Sequence, residues 1–251
     1  MKKILVPSLI ALAISALTPV AHAQAAPEST LSYNAGVVSD YRYRGISQSR
    51  LQPALQGGVD YADKSGFYVG AWGSSIKWIK DAGATDGSVE IDLYGGYKGA
   101  VGDVAYDVGY LRYEYAGNKL AGVNGAVNAN TDEVYGAVTY GLFTAKYSHA
   151  VSDLFGNPNT KNSYYLDLGA TFDLGEGYTL TPHVGRQSVK NLSAVSYNDY
   201  ALTLGKDLGN GLSASAAVIG TNADDTQIAF QTPAAKFTGK TGLVVGLKYA
   251  F

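Results

Sequence analysis

The sequence contains no cysteine, one methionine and two tryptophans in 251 residues. Without thiols there is no disulfide, no cysteine-based zinc site, no iron–sulfur cluster and no thiol nucleophile. An exported chain of this kind needs a source of stability other than disulfides. A closed barrel is one, because every backbone hydrogen bond is made between strands. Charge is scarce too, at 16% of residues, and nearly balanced at a formal net of -2. Removing Lys2 and Lys3 with the leader described below makes it about -4. Nucleic-acid binding would need a basic stripe, and there is none. Beyond residue 23 no stretch approaches the ~18 apolar residues of a membrane-spanning helix. His149 and His183 are too few and too separated for a histidine metal cluster. No Gly-x-Ser-x-Gly elbow is present, and Gly95-Gly96 lies inside an alternating segment, unlike a phosphate loop. No metal or cofactor is expected.

Glycine and tyrosine are plentiful: 31 Gly and 20 Tyr, against 7 Phe. Such a chain favours many strands joined by tight turns, with surfaces half apolar and half wet. The first 23 residues have the three parts of a secretory leader in order. Met1-Lys2-Lys3 is the positive region, Ile4 to Leu17 the apolar core, and Ala21-His22-Ala23 the small-x-small cleavage site. The mature chain is expected to begin at Gln24, with 24–30 a short periplasmic segment and 31–251 the folded domain.

That domain alternates apolar and polar residues with a period of two, in segments of the ~9–11 residues that a tilted membrane strand needs. Twelve such segments follow one another. The first runs from Leu31 to about Arg44, with Leu31, Tyr33, Ala35, Val37, Tyr41 and Tyr43 outward. The second, Gln52 to Tyr61, puts Leu55, Val59 and Tyr61 outward. The third starts near Phe67, with Tyr68, Gly70 and Trp72 assigned outward. The fourth alternates Val89, Ile91, Leu93 and Tyr97 with Glu90, Asp92, Tyr94 and Lys98. The eighth is the longest match, from Tyr164 to Leu174, and the twelfth ends Leu243-x-Val245-x-Leu247-x-Tyr249-x-Phe251. Short connections, such as Gly99–Asp103 and Gly209–Gly211, strictly alternate with long ones, such as Ser75–Ser88 and Gly220–Lys240. Even strand number, short periplasmic turns and long external loops belong together in outer-membrane barrels. The expected fold is therefore an all-β transmembrane antiparallel up-and-down barrel of about twelve strands. Outward aromatics fall in two girdles. Tyr68 is placed in the periplasmic one, and Tyr41, Tyr43 and Trp72 in the outer one.

A terminal phenylalanine on an alternating strand resembles the assembly signal of bacterial outer-membrane proteins. That resemblance implies that Tyr249 and Phe251 are read by the barrel-assembly machinery. A second likeness lies in Ser39-Asp40-Tyr41-Arg42-Tyr43-Arg44-Gly45-Ile46-Ser47-Gln48-Ser49, in Gly66-Phe67-Tyr68-x-Gly70-x-Trp72-x-Ser74 and in Glu90-Ile91-Asp92-x-Tyr94-x-Gly96-Tyr97. Over residues 31–98 the chain resembles the TorF-family porins of Gram-negative bacteria. The likeness implies an outer-membrane pore and brings no catalytic residue and no defined solute.

If lipid covers the apolar face, the other face lines a lumen. The candidate pore-lining charges are Asp40, Arg42, Arg44, Asp60, Glu90, Asp92, Lys98, Asp107, Lys146, Asp167, Asp199 and Lys248, joined by Lys77, Glu133, Asp173 and His183. Both signs are present among small residues, which suits passive diffusion of small hydrophilic solutes or ions. Asp40, Arg42 and Arg44 stand out as a constriction that could grip a carboxylate or phosphate. The expected partners are outer-membrane lipid and lipopolysaccharide, the assembly machinery and a small solute. Two other readings compete. One is a closed barrel that acts as an adhesin through loops such as Gly220–Lys240. The other is a lipid hydrolase built on His149 with Ser148, Ser152 or Ser163.

Overall fold

The computed structural model describes residues 29–251. The leader, its cleavage site and nearly all of 24–30 lie outside the described residues. The wall is built from β1 (Thr30–Val38), β4 (Ala54–Ala62), β5 (Phe67–Ser75), β6 (Val89–Val101), β7 (Val104–Tyr115), β8 (Thr131–Tyr140) and β9 (Phe143–Ala150). It continues through β10 (Tyr164–Ala170), β11 (Phe172–Gly175), β12 (Tyr178–Ser188), β13 (Tyr197–Gly209), β14 (Leu212–Thr221) and β15 (Gly242–Ala250). β10 and β11 both pair with β12 and form one stave interrupted at Thr171. The wall thus has twelve staves, as the alternation predicts. Two short strands, β2 (Arg42–Tyr43) and β3 (Ile46–Ser47), form a separate hairpin.

Each stave is antiparallel to its sequence neighbour, and the ring closes where β1 pairs with β15, from Asn34↔Ala250 to Val38↔Gly246. Tyr33 N donates to Phe251 O at 2.9 Å and Phe251 N to Tyr33 O at 3.0 Å. The Phe251 ring stacks between Tyr33 and Tyr249. Following paired residues once around the wall returns to β1 displaced by about 16 residues. With strands ~4.8 Å apart and a rise of ~3.4 Å per residue, that stagger tilts twelve strands by about 43° and gives a backbone radius of about 13 Å.

Two short turns show why glycine is needed. Glu176–Gly177 and Asn210–Gly211 have positive φ at both positions, 52° and 78° in the first and 51° and 82° in the second. This is the type I′ geometry whose twist matches the flanking strands. The first short turn is tied by Asp63, which accepts from Ser65 N at 2.9 Å and Ser29 Oγ at 2.9 Å. Hydrogen bonds from Ser65, then Ser29, hold its carboxyl down to about 2.

The outer surface is a continuous apolar band. Leu55 is 71% exposed, Leu243 68% and Val101 74%, with Leu31, Val69, Val108, Val138, Leu168, Val184, Leu202 and Val218 also exposed. Hydrocarbon is the solvent that such a face suits. One stave is read on the wrong parity in the sequence. On β5 the outward residues are Phe67, 62% exposed, and Val69, while Trp72 is 3% exposed and packs edge-on against Tyr41. Tyr68 points inward and donates to Asp107 at 2.6 Å. Tyr68, Gly70 and Trp72 therefore face the lumen. Both faces of β5 carry aromatics, so alternation alone could not choose between them. Tyr41 and Tyr43 also leave the outer girdle for the interior, because β1 leaves the wall after Val38 and does not continue to Arg44.

Inward tyrosines lie flat along the wall over glycines of the next strand. A Cβ on Gly109 would sit 2.5 Å from Tyr135 Oη and 2.8 Å from Gly95 O, and one on Gly70 would sit 2.5 Å from Tyr94 Cε2. Gly96 underlies Tyr68 and Gly185 underlies Tyr165 in the same way. Gly109→Ala should therefore destabilise the barrel by about 1–3 kcal/mol. Gly136→Ala, whose Cβ meets nothing within 4 Å, should be nearly neutral. Urea unfolding in detergent checks this, and equal losses for the two variants would refute the packing account.

Candidate functional site in the barrel lumen

After Val38 the chain turns into the barrel. Ser39 N donates to Val245 O at 2.8 Å, and Val245 N returns a bond to Ser39 Oγ at 3.0 Å. These are the last contacts with β15 before the β2–β3 hairpin begins. Its tip is Arg44-Gly45, with φ of 46° and 79°, a type I′ turn again. A Cβ on Gly45 would lie 2.8 Å from Asp199 Cβ, so the tip abuts β13 and the end of β14. Asp40 organises the base of the hairpin. Its carboxylate accepts from Arg42 Nε at 2.7 Å and from the Ser47 hydroxyl. Arg42 Nη1 also donates to Lys240 O at 2.7 Å, and Ser47 N to Thr238 O at 3.0 Å, which ties the hairpin to the last external loop.

Arg44 reaches further across. Nη2 donates to both oxygens of Glu133 on β8, at 3.0 and 2.7 Å, and Nη1 to Gln187 Oε1 on β12 at 2.6 Å. The guanidinium lies between the rings of Tyr43, 4.7 Å away, and Tyr165, 4.3 Å away. Tyr113 on β7 donates to Glu133 Oε2 at 3.2 Å. The ion pair is almost fully buried, at 6% and 1% side-chain exposure. Geometry of this quality can offset the desolvation of two buried charges, whereas removing one partner strands the other.

Around this bridge the loop end of the barrel is filled. Tyr41, Trp72, Ile76, Ile79, Tyr113, Tyr115 and Leu120 form one apolar cluster with Tyr43 and Phe155 against it. The helical turn α1 (Trp78–Asp81) supplies Ile79. On the other side, Ile46 of the hairpin joins Tyr197, Ala223 and Phe230. Tyr41 donates to Glu90 at 2.6 Å inside the first cluster.

Toward the short-turn end the lumen is polar. Asp60 accepts from Tyr94, and Lys248 lies within electrostatic range of it. Lys98 lies 3.9 Å from Asp107 and over the Tyr68 ring. Lys146 sits 4.1 Å from the centre of the Tyr135 ring. At the level of the hairpin tip, His183 Nδ1 and Nε2 each lie 2.7 Å from a carboxylate, of Asp167 and Asp199. A ring that serves two acceptors needs a hydrogen on each nitrogen. At the loop end, level with Trp72 and Tyr113, Asp92 Oδ1 is buried without a hydrogen-bond partner.

The structure thus places Asp60, Glu90, Asp92, Lys98, Asp107, Lys146, Asp167, Asp199 and Lys248 on the inner face. Asp40, Arg42 and Arg44 are inside as well, but on the hairpin and not on the wall. Their charges are spent on one another and on Glu133, so no guanidinium is left free to grip an anion. Lys77 is corrected: it stands exposed in the loop ahead of α1. Tyr165, Gln187 and Tyr113 complete the Arg44 socket and were not singled out in the sequence. Their inward parity was the available signal. Among the described residues no serine is hydrogen-bonded to His149, whose nitrogens meet Tyr147 Oη and Asn162 Oδ1 at 3.2 Å each. Ser163 Oγ donates to Thr160 O, and Ser152 Oγ to Asp153 O.

A family model described as "Bacterial protein of unknown function (Gcw_chp)" matches residues 22–251. The chain belongs to the Gcw_chp family. The fold of this Gcw_chp barrel is that of outer-membrane porins. A structure titled "KdgM porin in complex with disordered oligogalacturonate" aligns with a TM-score of 0.52 at 9% identity, over 89% of this chain and 99% of that one. The NanC porin aligns with a TM-score of 0.52 at 10% identity, over 88% and 99%. No curated protein matches the sequence.

Glu133→Gln removes the charge that holds Arg44. The hairpin should then loosen while the wall stays intact. Trypsin should cut the Gcw_chp chain at Arg42, Arg44 or Arg50 in the variant and spare those sites in the wild type, with an unchanged β circular-dichroism signal. Equal protection would show that the ion pair does not hold the hairpin.

Proposed function

We propose that the protein is an outer-membrane channel for passive diffusion of small hydrophilic solutes or ions. The observation that carries this reading is the pairing of an apolar exterior with an interior lined by interleaved charges, in a ring too wide for wall side chains alone to fill. The fold shared with porins and the likeness to TorF-family porins support it. On this reading the leader 1–23 directs export, the β15 strand with Tyr249 and Phe251 is the handle for the assembly machinery, and lipopolysaccharide surrounds the external girdle. No cofactor takes part.

The charges of the inner vestibule nearly cancel. Asp60 and Asp107 stand against Lys98, Lys146 and Lys248. Alternating signs lower the field any one ion meets and give weak selectivity. Purified protein in a planar bilayer should show discrete conductance steps with a small reversal potential in a salt gradient. Asp60→Asn with Asp107→Asn should shift that potential toward anions, and Lys98→Gln with Lys146→Gln toward cations. Reversal potentials that ignore all four substitutions would remove these residues from the pore.

A second reading has its own support. Tyr41, Glu90 and Glu133 are each 2% exposed or less beneath the loops, which suits a barrel closed at its external end that acts through its loops. Silence in bilayers, both for the wild type and for a variant with residues 41–48 replaced by a Gly-Ser linker, would favour that reading over the channel.

A further inference from the structure

The socket around Arg44 has the chemistry of a binding site, and most of it belongs to the wall. Glu133 offers a carboxylate to one edge of the guanidinium, Gln187 an amide oxygen to another, and Tyr165 the face of a ring. Tyr113 fixes the carboxylate from behind. These four side chains come from β8, β12, β10 and β7. All four would remain in place if the hairpin moved. Arg44 itself arrives on a hairpin held by hydrogen bonds and packing, with no covalent tie beyond its two chain ends. Glu133 is 1% exposed. With the hairpin in place that carboxylate is paired, and a cation of the same geometry can take the position that Arg44 leaves.

We infer that this socket is a lumenal cation site filled in cis by Arg44, and that its exchangeable ligand is a small solute bearing a guanidinium group or a primary ammonium. The inference rests on the channel reading and adds to it a solute class and a plug. The hairpin tip abuts the far wall, so a solute travelling the lumen from the loop end meets the plug first. A cationic solute that takes the socket satisfies Glu133 and Gln187 and releases the hairpin. Ligand and Arg44 compete for one set of acceptors, so each can displace the other. A guanidinium matches the two-oxygen edge of Glu133 in a planar fork, whereas an ammonium presents a point charge. Guanidinium solutes should therefore bind more tightly than ammonium solutes. An anion would face Glu133 directly and is excluded.

The test uses Arg44→Ala in the full-length protein, with methylguanidinium as the probe. Methylammonium and sodium at the same ionic strength are the comparisons. A ligand that binds the folded state raises the melting temperature. Methylguanidinium should raise that of Arg44→Ala in detergent more than methylammonium does. It should leave the wild type, whose socket is filled, almost unchanged. The double variant Arg44→Ala, Glu133→Gln should lose the response. In bilayers Arg44→Ala should conduct several-fold more than the wild type, and methylguanidinium, but not sodium, should bring the current back down. Should Arg44→Ala fail to assemble, Arg44→Gln carries the same comparison. A response to methylguanidinium that is equal in wild type, single and double variants overturns the socket. Melting shifts without current in any variant keep the socket and reject the channel. Current that ignores methylguanidinium, with no melting shift, keeps the channel and rejects the socket.

Discussion

In hydrocarbon every backbone N–H and C=O must find a partner inside the protein, because no water is there to supply one. The pairing of β1 with β15 answers that demand for the whole wall. Once the ring is closed no edge remains, each residue faces either lipid or lumen, and a one-residue slip in any stave would exchange the two faces. The apolar band outside and the concentration of charge inside are both consequences of that closure.

Closure also creates the interior problem. Twelve strands staggered as these are enclose a ring about 13 Å in backbone radius, more than wall side chains can fill. The protein treats the two ends of this space differently. Toward the short turns, inward tyrosines such as Tyr68 and Tyr135 lie over glycines of the next strand. Near the loops, the space is occupied by a piece of the chain itself. The β2–β3 hairpin brings Tyr41 and Tyr43 to one apolar cluster and Ile46 to another, and its Arg44 spans the gap between them. Charge does the bridging because a single long guanidinium can touch β8, β10 and β12 at once. No apolar side chain of that reach exists.

Much of this was legible in the sequence, and the failures are as instructive. Period-two alternation over β6, β10 and β15 gave the right faces because one side of each is predominantly Leu, Val, Ile or Tyr and carries no charge. It misassigned β5, where Phe67 and Val69 compete with Tyr68 and Trp72. It also ran the first strand on to Arg44, since Asp40, Arg42 and Arg44 keep the parity of β1. The excess length was a warning: a tilted strand needs only ~9–11 residues to cross.

The sequence by itself determined the number of staves, their direction, and which short segments had to be turns, because these depend on local periodicity and on backbone angles that Gly and Asn adopt readily. Tertiary structure alone decided that Arg44 meets Glu133, that His183 sits between Asp167 and Asp199, and that the external end is filled. Those contacts join residues 16 to 89 positions apart. Their partners are selected by the curvature and stagger of the closed wall, which no window of the sequence contains.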